Sequence, residues 1–409
     1  MSNKVDVAIV GAGAAGLATA IFLARRRPDL EIAVLDGART LGAKILVSGG
    51  GRCNVTNTVV TERDFFGGNP NVIRRVLKTF PASRTVAFFR ELGVALHEEE
   101  NGKLFPDTNR ARTVLEVLLA EVERRRVEIR EGWRVQALAP GFVLSTNRGS
   151  LTADRVVLAT GGLSLPKTGS DGHGYTLAAR LGHGLMATTP ALVPLVLDGH
   201  FHARLAGVSH RVEISVAAEE RKTQRFSGSL LWTHFGVSGP VVLDASRVWH
   251  RAKLEARRVQ VSARLAEGRS FEAIEAFFAT AKQTKPRAGL QGVLSEILPA
   301  SMAAALISDL AIDPFVAMTR FSRADRRKLA HALSSWAMPV RGSRGYNFAE
   351  VTAGGIPLDE IDAGTLESRK RSGLFLVGEI LDVDGRIGGF NFQWAWSSAW
   401  VAASGLARS

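Results

Sequence analysis

Three glycines and an acid near the N-terminus have the spacing of a dinucleotide-binding turn. An apolar stretch, Val5–Val10, leads into Gly11, Gly13 and Gly16. In such a turn the first glycine permits the sharp bend, the second lets the backbone approach a pyrophosphate, and the third lets the helix pack on the strand. Asp36, about 20 residues further on, is placed to accept hydrogen bonds from a ribose. The pattern predicts a dinucleotide at the N-terminus of the helix that follows.

A second glycine-bearing stretch lies close to the C-terminus. The apolar run Leu374–Val377 ends at Gly378 and Glu379. Further on, Gly389 opens a helix predicted from about Asn391. A carboxylate at a strand end suits ribityl hydroxyls, and a helix N-terminus stabilises the negative charge that a flavin gains on reduction. The cofactor site is therefore predicted to be split between the two ends of the chain, and FAD is favoured over NAD.

Two further glycine-rich stretches complete the predicted site. Gly49–Gly51 form a run that exposes backbone amides and allows close approach of a flat ligand. Thr160–Gly162 follow an apolar strand predicted over Arg155–Ala159. No metal site is predicted. The residues predicted to contact the cofactor are Gly11, Gly13, Ala15, Gly16, Asp36, Lys44, Ser48, Gly49, Gly50, Gly51, Arg52, Cys53, Asn54, Val135, Thr160, Gly161, Gly162, Gly378, Glu379, Gly389, Asn391, Phe392 and Gln393.

Hydride transfer from a flavin to a carbon–carbon double bond also needs a proton donor. Cys53, the single cysteine of the chain, is the candidate catalytic acid, although a lone cysteine more often fills apolar space. His173 and His234, in glycine-rich loops, are alternatives with a structural role as the simpler interpretation. Lys44 and Arg52 are assigned to cofactor binding, where they would offset pyrophosphate or flavin charge.

The composition restricts the class of protein. A chain of 409 residues with 46% hydrophobic content can bury a large core, and no apolar run approaches the roughly 20 residues of a membrane span. We expect a cytoplasmic protein with no membrane partner. One cysteine allows neither an intrachain disulfide nor a CxxC pair. No second strand-linked GxGxxG is present, so NAD(P)H, the expected transient reductant, would bind without a second dinucleotide domain of the usual kind.

The charge favours a polyanionic partner. The chain has 52 Lys and Arg residues against 39 Asp and Glu, a net charge of +13. Neutralising phosphates releases counterions, so this excess suits contact with a nucleic acid. The simpler interpretation is that a GC-rich genome supplies many arginines, which lie on solvated helix faces.

The pattern along the chain predicts an α/β fold. We expect a two-dinucleotide-binding (Rossmann-like) FAD domain with an inserted β-barrel-like and helical domain. Predicted strands in the insert include Val212–Val216, Val241–Leu243 and Val259–Ala263. The predicted segments are residues 1–190 for the first part of the FAD domain, 191–268 for the barrel-like subdomain, 269–340 for the helical subdomain and 341–409 for the second part of the FAD domain.

Longer motifs carry a family resemblance. These are SGGGRCN, ATGGLSLPKTGSDGHGY, THFGVSGP, EVTAGG, GEILDVDG and GGFNFQWAWSSAW, in this order over nearly the full length. The set closely resembles the BaiN/RdsA (YhiN-like) flavoproteins. The resemblance implies a two-dinucleotide-binding FAD fold with barrel-like and helical inserts, and an NAD(P)/FAD-dependent oxidoreductase. It also implies two kinds of substrate, a bile-acid intermediate or a uridine in ribosomal RNA.

Three functional hypotheses follow. The preferred one is an FAD-dependent oxidoreductase, fed by NAD(P)H, that reduces a conjugated C=C bond of a uridine in ribosomal RNA to give dihydrouridine. The second is a reductase of a small enone or steroid-like molecule, which an apolar pocket would favour. The third is a non-catalytic flavin-containing RNA-binding or assembly factor, in which FAD is a structural plug.

Overall fold

The computed structural model describes residues 3–408, so residues 1–2 and 409, the outer ends of the predicted FAD-domain segments, lie outside the described residues. Contacts divide the chain into two compact units. One comprises the chain up to Pro190 together with Ala349 onward, and the other is Ala191–Phe348. We call them the cofactor unit and the inserted unit.

The first part of the cofactor unit alternates strands and helices. Its elements are β1 (Lys4–Val10), α1 (Ala14–Arg26), β2 (Ile32–Asp36), α2 (Ala43–Val47), β3 (Thr56–Asn57), β4 (Phe65–Gly67), α3 (Pro70–Thr79), α4 (Ala82–Glu91), β5 (Leu96–Glu99), β6 (Lys103–Pro106), α5 (Ala111–Arg124), β7 (Glu128–Glu131), β8 (Val135–Ala139), β9 (Val143–Thr146), β10 (Gly149–Leu158), α6 (His173–Arg180) and β11 (Met186–Ala191).

The inserted unit begins with strands and continues mainly with helices. Its elements are β12 (Leu195–Leu197), β13 (Ser209–Ala218), β14 (Gln224–Thr233), β15 (Gly236–Ser238), α7 (Pro240–Leu254), β16 (Val259–Arg264), α8 (Phe271–Thr284), α9 (Leu290–Leu294), α10 (Ala300–Asp309), α11 (Arg323–Ser334), β17 (Trp336–Met338) and β18 (Val340–Ser343). The chain then returns to the cofactor unit with β19 (Val351–Gly355), β20 (Leu374–Leu376), β21 (Val383–Gly385) and α12 (Phe390–Leu406).

A parallel sheet forms the centre of the cofactor unit. Strands β7, β2, β1, β10 and β20 lie side by side in this order and run in the same direction, while β9 and β8 extend β10 as an antiparallel meander. The central strands are apolar and buried because helices cover both faces of such a sheet. This sheet confirms the predicted α/β, Rossmann-like fold class.

The register of this sheet brings the predicted cofactor residues to one edge. Val10 pairs with both Leu35 and Leu158, and Leu158 pairs with Leu376. The carboxyl ends of four parallel strands therefore lie side by side, and the residues that follow them begin the predicted cofactor segments. Ligands of open α/β sheets bind at this edge, where the strands end.

The inserted unit contains an antiparallel sheet with the strand order β17, β16, β13, β14, β15, β12, β18. Its two edge strands, β17 and β18, are separated in sequence only by Pro339. A single residue can connect opposite edges only if the sheet curls until the edges approach each other. The curl agrees with the predicted barrel-like character.

One predicted strand of the inserted unit is wrong. Val241–Leu243 begins helix α7, with Gly239 as the N-cap and Pro240 in the first turn. The buried positions of this helix include Val241, Ala245 and Val248, a helical spacing. The β-branched valines favour a strand locally, and the amphipathic pattern over the whole segment overrides that preference.

No helix within residues 3–408 is long and apolar enough to cross a membrane.

Candidate cofactor site

The glycine turn after β1 has the close contacts that the fingerprint requires. Gly11 has φ +109°, and a Cβ there would lie 2.4 Å from the carbonyl oxygen of Ala159. A Cβ on Gly16 would lie 1.8 Å from the carbonyl oxygen of Gly11. Gly13 differs, because a Cβ there would meet nothing within 4 Å. Two glycines thus allow the segments to pack, and Gly13 leaves open space beside the helix N-terminus.

The N-terminus of α1 is available for an anion. Gly13 is its N-cap, no side chain of the described residues caps the helix, and its first turn contains no acidic residue. The first backbone N–H groups of a helix have no partner within the helix, and its dipole favours negative charge there. This terminus therefore fits a pyrophosphate, as the fingerprint predicts.

Asp36 is held at the end of β2 by two backbone amides. Its carboxylate accepts hydrogen bonds from Ala12 N at 2.6 Å and from Ala38 N at 2.7 Å. A carboxylate has about four lone-pair sites, so acceptor capacity remains for ribose hydroxyls. Nearby, a Cβ on Gly37 would lie 2.7 Å from Arg134 Cβ. This contact places β8, which begins at the buried Val135, beside the turn after Asp36.

The C-terminal segment reaches the start of α1. A Cβ on Gly378, which has φ +75°, would lie 2.8 Å from Ala15 Cβ. The backbone of Gly378 is fixed from α12, since its amide donates to Ser398 Oγ and its carbonyl accepts from Trp394 Nε1. The two ends of the chain that are predicted to share the cofactor therefore meet within the cofactor unit.

A partly buried ion pair lies next to this junction. Lys44 Nζ donates to Glu379 Oε2 at 2.6 Å and to Ser164 Oγ at 2.7 Å. Glu379 Oε1 accepts from Ser164 Oγ at 2.7 Å and from the amide of Thr352 at 2.9 Å. Ser170 Oγ lies 3.2 Å from Lys44 Nζ. The carboxylate of Glu379 thus has little capacity left for the predicted ribityl contact, which stays a prediction.

Ser164, Ser170 and Thr352 were not identified from the sequence. The hydroxyl of Thr352 accepts the amides of Leu163 and Ser164 and so fixes the turn after β10. A Cβ on Gly162 would lie 2.5 Å from this hydroxyl. The only available signal was that these residues lie within the ATGGLSLPKTGS and EVTAGG motifs.

The glycine loop after α2 has an unusual backbone. Gly49, Gly50 and Gly51 all have positive φ angles, and Cys53 follows at φ +62°. A Cβ on Gly50 would meet nothing within 4 Å, while one on Gly49 would lie 3.1 Å from the ring of Phe105. Successive residues in this conformation turn backbone amides toward one side, which suits an anionic or flat ligand. Within the loop, Ser48 accepts the amide of Cys53 on its carbonyl.

Cys53 lies in the apolar core and has no exposed surface. Burial raises the pKa of its thiol to about 12, and a hydrogen bond with Ser48 acts in the opposite direction. A thiol enclosed in this way has no path to a substrate and fills apolar space. The acid role of Cys53 stays a prediction to which the structure gives no support.

A cluster of charged residues lies around the ring of Phe105. Arg52 stacks on this ring at 4.2 Å from its centroid and pairs with Glu99 at 2.6 Å. His97 stacks on the same ring at 6.3 Å, with its nitrogens 3.5 Å from Glu99 and 3.3 Å from Asp107. The hydrogen bond from Arg52 lowers the pKa of Glu99. His97, whose side chain is 33% exposed, was not identified from the sequence.

The N-terminus of α12 is pressed against the segment after the glycine loop. Gly389, its N-cap, has φ +90°, and a Cβ there would lie 2.5 Å from the carbonyl of Thr56. No side chain within residues 3–408 caps this helix. The side chain of Asn391 holds Gly385 through two hydrogen bonds. Beside them, the Oδ1 atom of Asn54 is buried without a hydrogen-bond partner in the described chain, an unsatisfied acceptor that a cofactor could meet.

Gln393 is fully buried and engaged by the protein. Its Oε1 accepts from Thr56 and Thr85, and its Nε2 donates to Phe80 O and Ser397 Oγ. No side-chain hydrogen bond remains for a cofactor. Phe392 stacks on Trp396 at 5.7 Å. These residues fix the position of α12.

The remaining predicted residues fall in both units. Thr160 contacts α6, since a Cβ on Gly174 would lie 1.8 Å from its hydroxyl. His173 Nε2 is buried and has no hydrogen-bond partner in the described chain. His234 belongs to the inserted unit, where its ring packs on Phe235.

These observations fit an FAD molecule. Two uncapped helix N-termini, the open space at Gly13 and the unsatisfied acceptor of Asn54 lie at the predicted positions. The residues that would hold FAD are those of the α1 turn and Asp36, the glycine loop, and the Gly389 end of α12.

Comparison with known proteins gives the same assignment. Residues 5–405 match the HI0933-like protein Rossmann domain. The chain is 34% identical over 405 residues to the 3-dehydro-bile acid delta(4,6)-reductase of Clostridium scindens, covering 98% of this chain and 99% of that protein. It is also 34% identical over 407 residues to the ribosomal RNA dihydrouridine synthase of Escherichia coli, covering 99% and 98%. The synthase of the same name from Haemophilus influenzae is 33% identical, with full coverage of both chains.

Solved structures share the fold. A flavocytochrome c3 fumarate reductase in an open conformation aligns with a TM-score of 0.52 at 15% identity, covering 100% of this chain and 78% of that one. A variant of Escherichia coli quinol fumarate reductase FrdA aligns with a TM-score of 0.51 at 17% identity, covering 99% and 70%. With the full-length matches above, these findings show that the chain belongs to the HI0933-like Rossmann family, the BaiN/RdsA flavoproteins, and is an FAD-dependent oxidoreductase.

Proposed function

We propose that this protein reduces the C5=C6 bond of a uridine in ribosomal RNA, with NAD(P)H as the electron source. Relatives of equal similarity act on different substrates by name, a bile acid and ribosomal RNA, so identity alone does not choose between them. Both names describe saturation of a double bond. The substrate must therefore be inferred from features of this chain itself.

The observation that carries the RNA proposal is the distribution of charge. Residues 191–348 contain 22 Lys and Arg against 13 Asp and Glu, so the inserted unit carries +9 of the net +13. The cofactor unit, with 30 Lys and Arg against 26 Asp and Glu over residues 1–190 and 349–409, carries the remaining +4. The higher net positive charge of the smaller unit supports binding of a phosphate backbone, which a small apolar enone lacks.

The reaction adds a hydride and a proton across the double bond. When bound, FAD would supply hydride-transfer chemistry, with NAD(P)H as the source of the electrons. The protein must hold the base, exclude water and provide the proton. The predicted cofactor residues, from Gly11 to Gln393, are proposed to hold FAD directly, except that Asn391, Phe392 and Gln393 position the N-terminal end of α12. The buried Cys53 contributes through its backbone, whose amide donates to the carbonyl of Ser48.

His97 is our candidate for the proton donor in place of Cys53. It is partly exposed, while Cys53 has no exposed surface. Its imidazole stacks on the ring of Phe105, whose edge lies beside Gly49 of the glycine loop. Two carboxylates, on Glu99 and Asp107, lie near its nitrogens and orient the imidazole.

The experiment has two parts. Anaerobic mixing with NADH and with NADPH should bleach the flavin absorption for at least one donor. Ribosomal RNA from a deletion strain should lack a dihydrouridine that the parent strain contains, as measured by mass spectrometry of nucleosides, and restoring the gene should restore it. Unchanged RNA modification would remove the RNA substrate, and reduction of a steroid enone by the same protein would support the second hypothesis.

Anaerobic mixing with NADH and NADPH also tests whether FAD has a non-catalytic role. A flavin that serves only as a structural plug is not reduced by either nicotinamide donor. Absence of bleaching with both donors, in protein that retains FAD, would favour that alternative.

A further inference from the structure

The inserted unit carries an arginine whose guanidinium lies between two aromatic rings. Arg344 Cζ is 3.4 Å from the centroid of Phe348 and 4.7 Å from that of Phe235. Guanidinium groups stack well on aromatic faces, and a stacked guanidinium keeps its N–H edges free for acceptors in its own plane. We call these three residues the Arg344 stack.

Arg344 lacks the partner that many neighbouring arginines have. Within residues 3–408 its guanidinium makes no ion pair and no hydrogen bond to a side chain. Several other arginines of the inserted unit are paired with carboxylates, namely Arg204, Arg211, Arg221, Arg257, Arg258, Arg264 and Arg326. The N–H edges of Arg344 are therefore unused donors in a unit with a net charge of +9.

The backbone around the stack is fixed. Arg344 directly follows β18, and its amide donates to the carbonyl of Pro194 at 3.1 Å. Ser343 Oγ accepts the amide of Gly345 at 3.1 Å and lies 2.7 Å from His250 Nε2. Burial lowers the pKa of His250 to about 4, so its imidazole is neutral near pH 7 and adds no positive charge. With its backbone held and its guanidinium packed on two rings, Arg344 loses little entropy when it binds.

Phe348 leaves part of its ring exposed. The residue is 45% exposed although the guanidinium covers one face. An exposed ring next to unused guanidinium donors matches the two parts of a single-stranded nucleotide, since an unstacked base packs on an aromatic face and its phosphate accepts from the guanidinium.

We propose that the Arg344 stack is a binding site for single-stranded RNA, with a phosphate on the Arg344 edge and a base on Phe348. The assignment rests on the proposed function, because it supplies a contact for the RNA substrate. A site of this kind holds an unpaired segment, and a duplex, whose bases are stacked, offers the ring no face.

The test uses full-length protein and a fluorescein-labelled oligouridylate of about 12 nucleotides. Dissociation constants are measured by fluorescence anisotropy between about 50 and 200 mM salt. The variants are Arg344→Ala, Arg344→Lys and Phe348→Ala. The matched control is Arg258→Ala, which removes one positive charge from an exposed, ion-paired arginine of the same unit. Thermal melting checks that each variant is folded.

We expect Arg344→Ala to weaken binding about tenfold and to reduce the salt slope by about one. Arg344→Lys should restore the slope without restoring the affinity. The lysine ammonium keeps the charge, but it neither stacks on a ring nor donates two parallel hydrogen bonds to one phosphate. Phe348→Ala should weaken binding with little change of slope, since a ring contributes stacking and no charge.

Two outcomes overturn the assignment while leaving the proposed function intact. In one, the wild-type protein binds RNA and Arg344→Ala weakens binding no more than Arg258→Ala, which would mean that the affinity depends only on net charge. In the other, Phe348→Ala binds as tightly as wild type. If the wild-type protein binds no RNA, even at about 50 mM salt, the proposed function fails together with the assignment.

Discussion

The ammonium of Lys44 lies 2.6 Å from Oε2 of Glu379, although 335 residues separate them in the sequence. The second oxygen of this carboxylate accepts the hydroxyl of Ser164 and the amide of Thr352. One ion pair thus connects α2, the turn after β10, the start of β19 and the end of β20. These are the segments that surround the edge of the parallel sheet where the predicted cofactor residues lie.

Removing either member of this pair should loosen the cofactor unit. Lys44→Met leaves the Glu379 carboxylate partly buried without its cation, and Glu379→Gln leaves the ammonium of Lys44 in the same position. We expect each variant to lose about 1–3 kcal/mol of unfolding free energy, measured by urea denaturation. Each should also retain less FAD after gel filtration, measured from the flavin absorption.

The double variant shows whether the two residues act as a pair. The double variant Lys44→Met with Glu379→Gln should lose less unfolding free energy than the sum of the losses of the single variants. The difference, the coupling energy, should be about 1 kcal/mol or more. Arg258→Ala is the control for an exposed pair, and its effect should stay within about 0.5 kcal/mol. A coupling energy near zero would show that the ion pair does not hold these segments.

Alanine substitutions at two glycines of nearly equal φ angle can distinguish the effect of backbone strain from the effect of a steric clash. Gly389 has φ +90° and Gly182 has φ +92°, but a Cβ on Gly389 would lie 2.5 Å from Thr56 backbone atoms, whereas one on Gly182 would meet nothing within 4 Å. Gly182→Ala should lower the free energy of unfolding by about 1–2 kcal/mol, because only the positive φ angle disfavours alanine there. Gly389→Ala should cost clearly more and should lower FAD retention, because the N-terminus of α12 must move. Equal unfolding midpoints for the two variants would contradict this.

The sequence predicted the parallel part of the fold because its signals are local. The strand β1, the glycines after it and Asp36 lie within one short βαβ segment, where each residue type is required by its immediate neighbours. The C-terminal stretch from Gly378 to α12 was also predictable, since an apolar strand and a glycine-led helix lie next to each other.

The polar contacts of the site were not predictable, because they depend on distant segments. Nothing near Thr352 shows that its hydroxyl accepts the amides of Leu163 and Ser164. His97 lies in a weakly patterned strand, and only the fold brings it next to the ring of Phe105. A local preference also led to the wrong strand at Val241–Leu243, where the periodicity of the longer helix decides the structure.

The buried thiol gives a direct chemical test of the core. Cys53 is the only cysteine, has no exposed surface, and burial raises the pKa of its thiol to about 12. The thiol therefore stays protonated even at pH values well above 9, the ordinary pKa of a cysteine thiol. It becomes reactive only as the pH approaches 12 or as the fold opens. We expect Ellman's reagent to leave folded protein unlabelled at about pH 8. In guanidinium the reagent should label one thiol per chain, and rapid labelling of folded protein would disprove the burial.

His97 and Cys53 are rival proton donors, and paired variants decide between them. His97→Asn keeps a polar side chain of similar size but removes the acid, while Cys53→Ala removes the thiol from the core. If His97 is the donor, His97→Asn should reduce the rate of substrate reduction by about 10²–10⁴. Bleaching of the flavin by NAD(P)H should be unchanged in this variant, because that half of the reaction needs no acid.

Cys53→Ala should show the opposite pattern. It removes buried volume, so we expect a loss of about 1 kcal/mol of stability, measured by urea denaturation, with turnover close to that of the wild-type protein. A large loss of turnover in Cys53→Ala, with normal flavin content and an unaffected His97→Asn variant, would instead assign the proton to the thiol. The imidazole of His97 is partly open to solvent, whereas a thiol sealed in the core has no path for a proton from solvent.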